Sequence, residues 1–136
     1  MSTSPITAVH TASGPAPIGP YSQAVTVNGF VYCSGQTPLD PKTMQVVAGD
    51  VQVQTRQVLN NLKVVLGAAG SDLEHVVKTL VFLKDMNTFT AMNQVYGEFF
   101  STHKPARSTV EVARLPMDAQ VEIELVAVVK KAAGMQ

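Results

Sequence analysis

The sequence predicts an α+β fold, a mixed β-sheet with two helices packed on one of its faces. Three observations lead there. Short stretches alternate apolar and polar residues with the period of a half-buried strand, two others repeat their apolar residues at helical spacing, and the order runs hairpin, helix, strand, helix, hairpin.

Residues 5–12 (Pro-Ile-Thr-Ala-Val-His-Thr-Ala) suit a short edge strand, and residues 13–20 must be irregular because they hold three prolines and two glycines. Tyr21 follows directly, on a rigid loop. Gln23 to Val27 and Phe30 to Gln36 flank Asn28-Gly29, the strongest short hairpin signal. The second of these strands ends in Cys33-Ser34-Gly35-Gln36, where Gly35 withdraws its side chain and lets another group approach the backbone.

A loop over 37–49 leads to Asp50, which opens a helix. Its stripe is Val51, Thr55, Val58, Leu59, Leu62, Val65, Leu66 and Ala69, and Gly70 closes it. Ser71-Asp72-Leu73-Glu74 matches a capping box for one further turn. Val76 to Lys84 has the composition of a mid-sheet strand, with Val77, Thr79, Val81 and Leu83 on one face. Asp85 to Thr88 offers caps for a second helix, whose stripe of Phe89, Met92, Val95, Tyr96 and Phe99 packs on the same sheet.

From Ser108 the chain alternates again. Ser108, Val110 and Val112 fall on one face and Arg107, Thr109 and Glu111 on the other, while Val121 to Val129 alternates beyond the turn Leu115-Pro116-Met117-Asp118. The two runs read as a hairpin bent at Pro116, with Arg107 facing away from the core. Matching their apolar faces sets Glu111 opposite Glu122, Thr109 opposite Glu124 and Arg107 opposite Val126. Arg107 and Glu122 then lie about 13 Å apart, at ~3.3 Å per residue, and do not meet within one chain. Val126 and Val128 share a face with Glu122 and Glu124, so a second surface is expected to cover part of it, a first sign of an oligomer.

One domain is expected over 1–136, with room for flexibility in residues 1–8. Ten basic and ten acidic side chains cancel, which leaves no electrostatic footprint for nucleic acid or an acidic membrane surface. The single cysteine, Cys33, excludes an internal disulfide, points to a reducing compartment, and reads as a small buried hydrophobe. No apolar run approaches a membrane span, and His10, His75 and His103 lack metal-ligand spacing, so no metal or cofactor is expected.

Ile18-Gly19-Pro20-Tyr21, Ser34-Gly35-Gln36, Val77-Lys78-Thr79 with Phe82-Leu83-Lys84-Asp85, Pro105-Ala106-Arg107-Ser108 through Ala113-Arg114-Leu115-Pro116, and Val121-Glu122-Ile123-Glu124 follow one another in an order that resembles the RidA (YjgF-type) family. The resemblance implies a chorismate-mutase-like fold, a homotrimer with clefts between subunits, and hydrolysis of reactive enamines and imines such as 2-aminoacrylate and 2-aminocrotonate to 2-oxo acids and ammonia, while the lone cysteine makes the cytoplasm the expected compartment. A Ser/Thr-rich start leaves a mitochondrial address open.

By the same resemblance Arg107 binds the substrate carboxylate and Glu122 positions or activates the attacking water. Tyr21 lids the cleft, Ser34 and Gly35 bring backbone to the ligand, and Phe89, Asn93 and Thr109 line the site. Each has a plainer alternative: an ion pair of Arg107 with Glu122 or Glu124, a solvated Glu122, a surface Tyr21, a core Phe89. Two departures stand out, because many members carry cysteine where this chain has Thr109, and the loop Ser101-Thr102-His103-Lys104 is shorter than in many relatives. Rival readings are a trimeric binding protein for small carboxylates and a translation-inhibiting endoribonuclease or holdase; zero net charge weighs against RNA.

Overall fold

The computed structural model describes residues 5–130. The described residues form six strands, β1 (Thr7–Val9), β2 (Ala24–Val27), β3 (Phe30–Gln36), β4 (Val76–Leu83), β5 (Ala106–Glu111) and β6 (Val121–Val128). They form one sheet in the order β1-β2-β3-β6-β4-β5. Helices α1 (Val51–Ala68) and α2 (Phe89–Phe99) pack against each other over one face. The expected α+β layering is what the chain adopts. Residues 1–4, part of the stretch with room for flexibility, lie outside the described residues, and Thr7–Val9 pairs as edge strand β1.

Local signals set most of the elements. Asn28 and Gly29 both take positive φ (51° and 82°), as a tight hairpin turn requires, and β2 and β3 pair across them. The Asp50 side chain accepts from Val53 N to cap α1, and Gly70 (φ 80°) follows its last turn. The α1 stripe is buried, with Val58, Leu59, Leu62, Val65 and Leu66 fully sealed against Val31, Ile123 and Ala127 of the sheet.

Three expectations need correction. The final two strands are not a hairpin: β4 lies between them, parallel to β5 and antiparallel to β6. The register through β4 runs Glu122–Phe82–Val110, Glu124–Leu80–Ser108 and Leu125–Thr79–Arg107, so none of the cross-strand partners expected for β5 forms. It follows that the faces are reversed on β5. Arg107 and Thr109 lie on the helix side with Thr79 and Val81, while Ser108 and Val110 share the outer face with Glu122 and Glu124. The cause is physical: β5 is an edge strand exposed or half-exposed throughout, so its alternation gives a period without saying which side is covered.

The second correction is Val77. The pairing of β4 with β6 shifts between Val76 and Lys78, and this bulge buries Val76 and leaves Val77 exposed. The third concerns the capping box. Ser71 Oγ donates to Val128 O at 2.6 Å, and Asp72 pairs with His75 Nδ1 (2.6 Å) and Lys130 Nζ (3.6 Å), so the turn at Leu73–His75 is tied to the sheet rather than capped by Ser71.

Candidate functional site

The residues singled out in the sequence gather into two clusters on opposite faces of the sheet. The first is built on β5 and α2. Arg107 rises from the helix side of β5, where the parallel pairing sets it beside Thr79, and reaches over the N-terminal half of α2. Its Nη1 donates to Asn93 Oδ1 at 2.8 Å, and the guanidinium carbon stands 4.7 Å from the Tyr96 ring centroid and 5.5 Å from that of Phe89. Phe89, Asn93 and Tyr96 share one helix stripe, so α2 supplies an aromatic and amide bed for the cation.

Arg107 makes no ion pair among the described residues. The alternative of a pair with Glu122 or Glu124 is not formed within the chain. The guanidinium is therefore held by neutral groups, with donors left for an anion. Close by in sequence, Thr109 Oγ1 is buried and finds no hydrogen-bond partner among the described residues, a cost of about 1–3 kcal/mol unless something else supplies one. Burial raises the Tyr96 hydroxyl pKa, against the opposing pull of its 2.7 Å hydrogen bond with Thr79 Oγ1 and of nearby Arg107.

The second cluster lies on the outer face, where β3 meets β6. Here a cleft of about 310 Å³ is lined by Tyr21, Ser34, Gly35, Glu122 and, from loops, Ile18, Thr37, Pro116 and Met117. The register of β3 with β6 shifts between Cys33 and Gln36, and this irregularity turns Ser34-Gly35 towards Glu122. Ser34 Oγ donates to Ser22 O at 2.6 Å and its N–H to Gln23 O at 3.0 Å, fixing the strand end. The Tyr21 hydroxyl accepts from Ile18 N at 3.3 Å, so the ring folds back over its own proline-rich loop.

Gly35 has the close approach expected of it, and the approaching group is Glu122. A Cβ at position 35 would overlap Glu122 Oε2 and sit 3.0 Å from Cδ. Since the displaced atoms are the tip of a flexible side chain, Gly35→Ala should leave the melting temperature within a few degrees of wild type. It should still move the carboxylate by about 1 Å, enough to cost on the order of 10²-fold in any reaction that Glu122 positions. Circular-dichroism melting beside a turnover assay checks both halves.

Burial raises the Glu122 pKa above its ordinary 4.5, with a smaller contribution from the like charge of Glu124. Half-buried, this carboxyl makes no ion pair among the described residues. Cys33, on the buried side of β3, is pushed by burial up to about 12, which keeps it a thiol. His75 and His103, unpartnered in the sequence reading, bind Asp72 and Val76 O respectively.

Sequence reasoning missed Tyr96 and Thr79, both read as core, and Met117, read only as part of a turn. A polar residue within an apolar helix stripe, Asn93 between Phe89 and Tyr96, was the signal for the first pair. The outer face around Glu122 and Glu124 is apolar over a wide area, with Phe30, Tyr32 and Val110 exposed and Leu80, Phe82 and Val126 half-buried. No helix among the described residues is long and apolar enough to cross a membrane.

A six-stranded mixed sheet with both helices on one side and a cleft around Glu122 on the other defines the class, a small α+β protein of the L-PSP and YjgF type. The comparisons then settle the family. The sequence profile described as "Endoribonuclease L-PSP" matches residues 11–129. A RutC family protein of Pyrococcus horikoshii is 54% identical over 119 residues, covering 88% of this chain and 94% of its own. A 2-iminobutanoate/2-iminopropanoate deaminase of Salmonella typhimurium is 50% identical over 123 residues, covering 88% and 95%. The crystal structure of Escherichia coli TdcF with bound serine matches with a TM-score of 0.85 at 43% identity, over 90% of this chain and 98% of that one. The chain belongs to the RidA (YjgF-type) family.

Proposed function

We propose that this chain is an imine deaminase, converting 2-iminopropanoate and 2-iminobutanoate, with their enamine forms 2-aminoacrylate and 2-aminocrotonate, to 2-oxo acids and ammonia. The working unit is a cytoplasmic homotrimer of chorismate-mutase-like subunits, with Arg107 of one subunit facing Glu122 of the next. One observation carries the reading: among the described residues an arginine with no ion-pair partner and a carboxyl with no ion-pair partner lie on opposite faces of one sheet, so on this reading each half-site is completed by a second copy. The apolar outer face supplies a surface for that copy to cover. The two deaminase-named relatives at 49–50% identity support the chemistry.

The chemistry asks for position and charge. Arg107 grips the substrate carboxylate with two parallel hydrogen bonds, steadied by Asn93 and the Phe89 and Tyr96 rings. Glu122 holds a water against the imine carbon and takes a proton from it as the carbon–oxygen bond forms and the C=N electron pair moves to nitrogen. Glu122 passes that proton to the nitrogen to give the neutral carbinolamine, which then collapses: Glu122 relays the hydroxyl proton to nitrogen, the hydroxyl oxygen becomes the carbonyl, the carbon–nitrogen bond breaks, and nitrogen leaves as ammonia. The equation is imine plus water giving 2-oxo acid plus ammonia, with no redox step.

The test is pyruvate release from 2-aminoacrylate generated enzymatically in situ. Acceleration by the purified chain is expected, and a rate equal to that in buffer refutes the reading. Mixing the inactive Arg107→Ala and Glu122→Gln chains after unfolding should restore roughly a quarter of wild-type activity, since one interface in four then joins an intact arginine to an intact glutamate in a head-to-tail ring. No recovery, where wild type unfolded and refolded in the same way regains activity, would overturn the shared-site arrangement.

A further inference from the structure

Met117 is the most unusual residue beside the Glu122 cleft. It takes φ 58°, ψ 25°, and Asp118 follows at φ 53°, so two consecutive non-glycine residues adopt the left-handed conformation. Such residues persist only where the surroundings over-determine them. The turn is held by Asp118 N donating to Leu115 O (3.1 Å), Ala119 N to Pro116 O (3.1 Å), and Arg114 Nε to Asp118 Oδ1 (3.1 Å), with Leu115 and Ala119 buried on either side.

The strained turn sets Met117 on the wall of the cleft with half of its surface exposed. Ile18 (62% exposed) and Tyr21 (48% exposed) line the same cleft. Three of the large exposed hydrophobics thus surround one carboxyl, where solvent-facing polar residues would cost less.

We infer that Met117, with Ile18 opposite, is a specificity-determining wall that selects 2-imino acids with apolar side chains of several carbons. The inference rests on the deaminase reading, which already commits two arms of the substrate. Its carboxylate goes to Arg107 and its imine carbon to the water at Glu122, and the third arm, the side chain, is left facing the apolar wall. A thioether side chain with three rotatable bonds adapts to chains of different length, and each further methylene buried there adds roughly tenfold or more in kcat/KM.

The experiment generates imines in situ with D-amino-acid oxidase and catalase from D-alanine, D-2-aminobutyrate and D-norleucine; oxidation removes the stereocentre, so the handedness of the precursor is immaterial. Hydrolysis is followed by the loss of imine trapped as its semicarbazone, for wild type, Met117→Asn and Ile18→Asn. Asparagine tolerates positive φ, so it keeps the turn while removing the apolar tip, and Ile18 lies on an exposed loop whose substitution does not touch the core. The expected result is a wild-type kcat/KM for 2-iminohexanoate at least about tenfold above that for 2-iminopropanoate, with the ratio falling about tenfold or more in Met117→Asn and in Ile18→Asn; an equal or lower wild-type value for 2-iminohexanoate overturns the inference. Unchanged ratios in both variants, with all three proteins turning over 2-iminopropanoate, overturn the inference and leave the deaminase reading standing. No hydrolysis of any imine by wild type overturns both.

Discussion

Arg107→Ala lowers kcat/KM for 2-aminoacrylate hydrolysis by on the order of 10³-fold, the expected loss when two charge-assisted hydrogen bonds of about 2 kcal/mol each disappear from the bound substrate. Steady-state kinetics would show whether the loss lies in KM, in kcat or in both. Arg107→Lys keeps the charge but not the planar fork, and should recover only part of the rate. A control separates binding from a purely structural role: an imine lacking the carboxylate should be turned over equally by wild type and Arg107→Ala. Equal losses on both substrates would make the arginine a prop for α2 and β5.

Glu122→Gln is expected to lower kcat by about 10²- to 10⁴-fold, the range for removing a positioned general base. The amide keeps the shape of the side chain beside Gly35 and loses the capacity to take a proton. The pH dependence carries its own signature. Hydrolysis needs the carboxylate form, and burial raises the pKa at which that form appears, so the acidic limb of the wild-type rate should fall at a pH above the ordinary 4.5. Glu124→Gln removes the smaller, like-charge contribution and should move the limb down while burial keeps it above 4.5. An acidic limb at or below 4.5, or one that persists in Glu122→Gln, would take the proton transfer away from Glu122.

What could be read from the sequence divides along physical lines. Asn28-Gly29, Asp50 and Gly70 acted through their own backbones, and each did in the fold what the local chemistry required. The separation of Arg107 from Glu122 within one chain was also legible, although the reason differs: they occupy opposite faces of the sheet rather than distant rungs of one hairpin. Partner choice for β5 was not legible. Val110, counted on the core side, is 41% exposed, because parallel pairing with β4 turns the other face of the strand towards α2. Alternation gives a strand its period, and the third layer decides its inside. Resemblance brought Phe89 and Asn93 to the site, whereas Tyr96 was hidden among core residues because an aromatic ring beneath a guanidinium has the same spacing as one beneath a leucine.

The strand order also sets how the chain is born. Of the six described strands β6 is the last to leave the ribosome, and it is the one that β3 and β4 both need as a neighbour. Until residues 121–128 emerge, the β1-β2-β3 and β4-β5 portions have their inner edges bare and α1 lacks the half of its floor that β6 supplies. The nascent chain therefore carries bare sheet edges until that stretch emerges, and a stop or frameshift inside β6 removes the keystone rather than a tail.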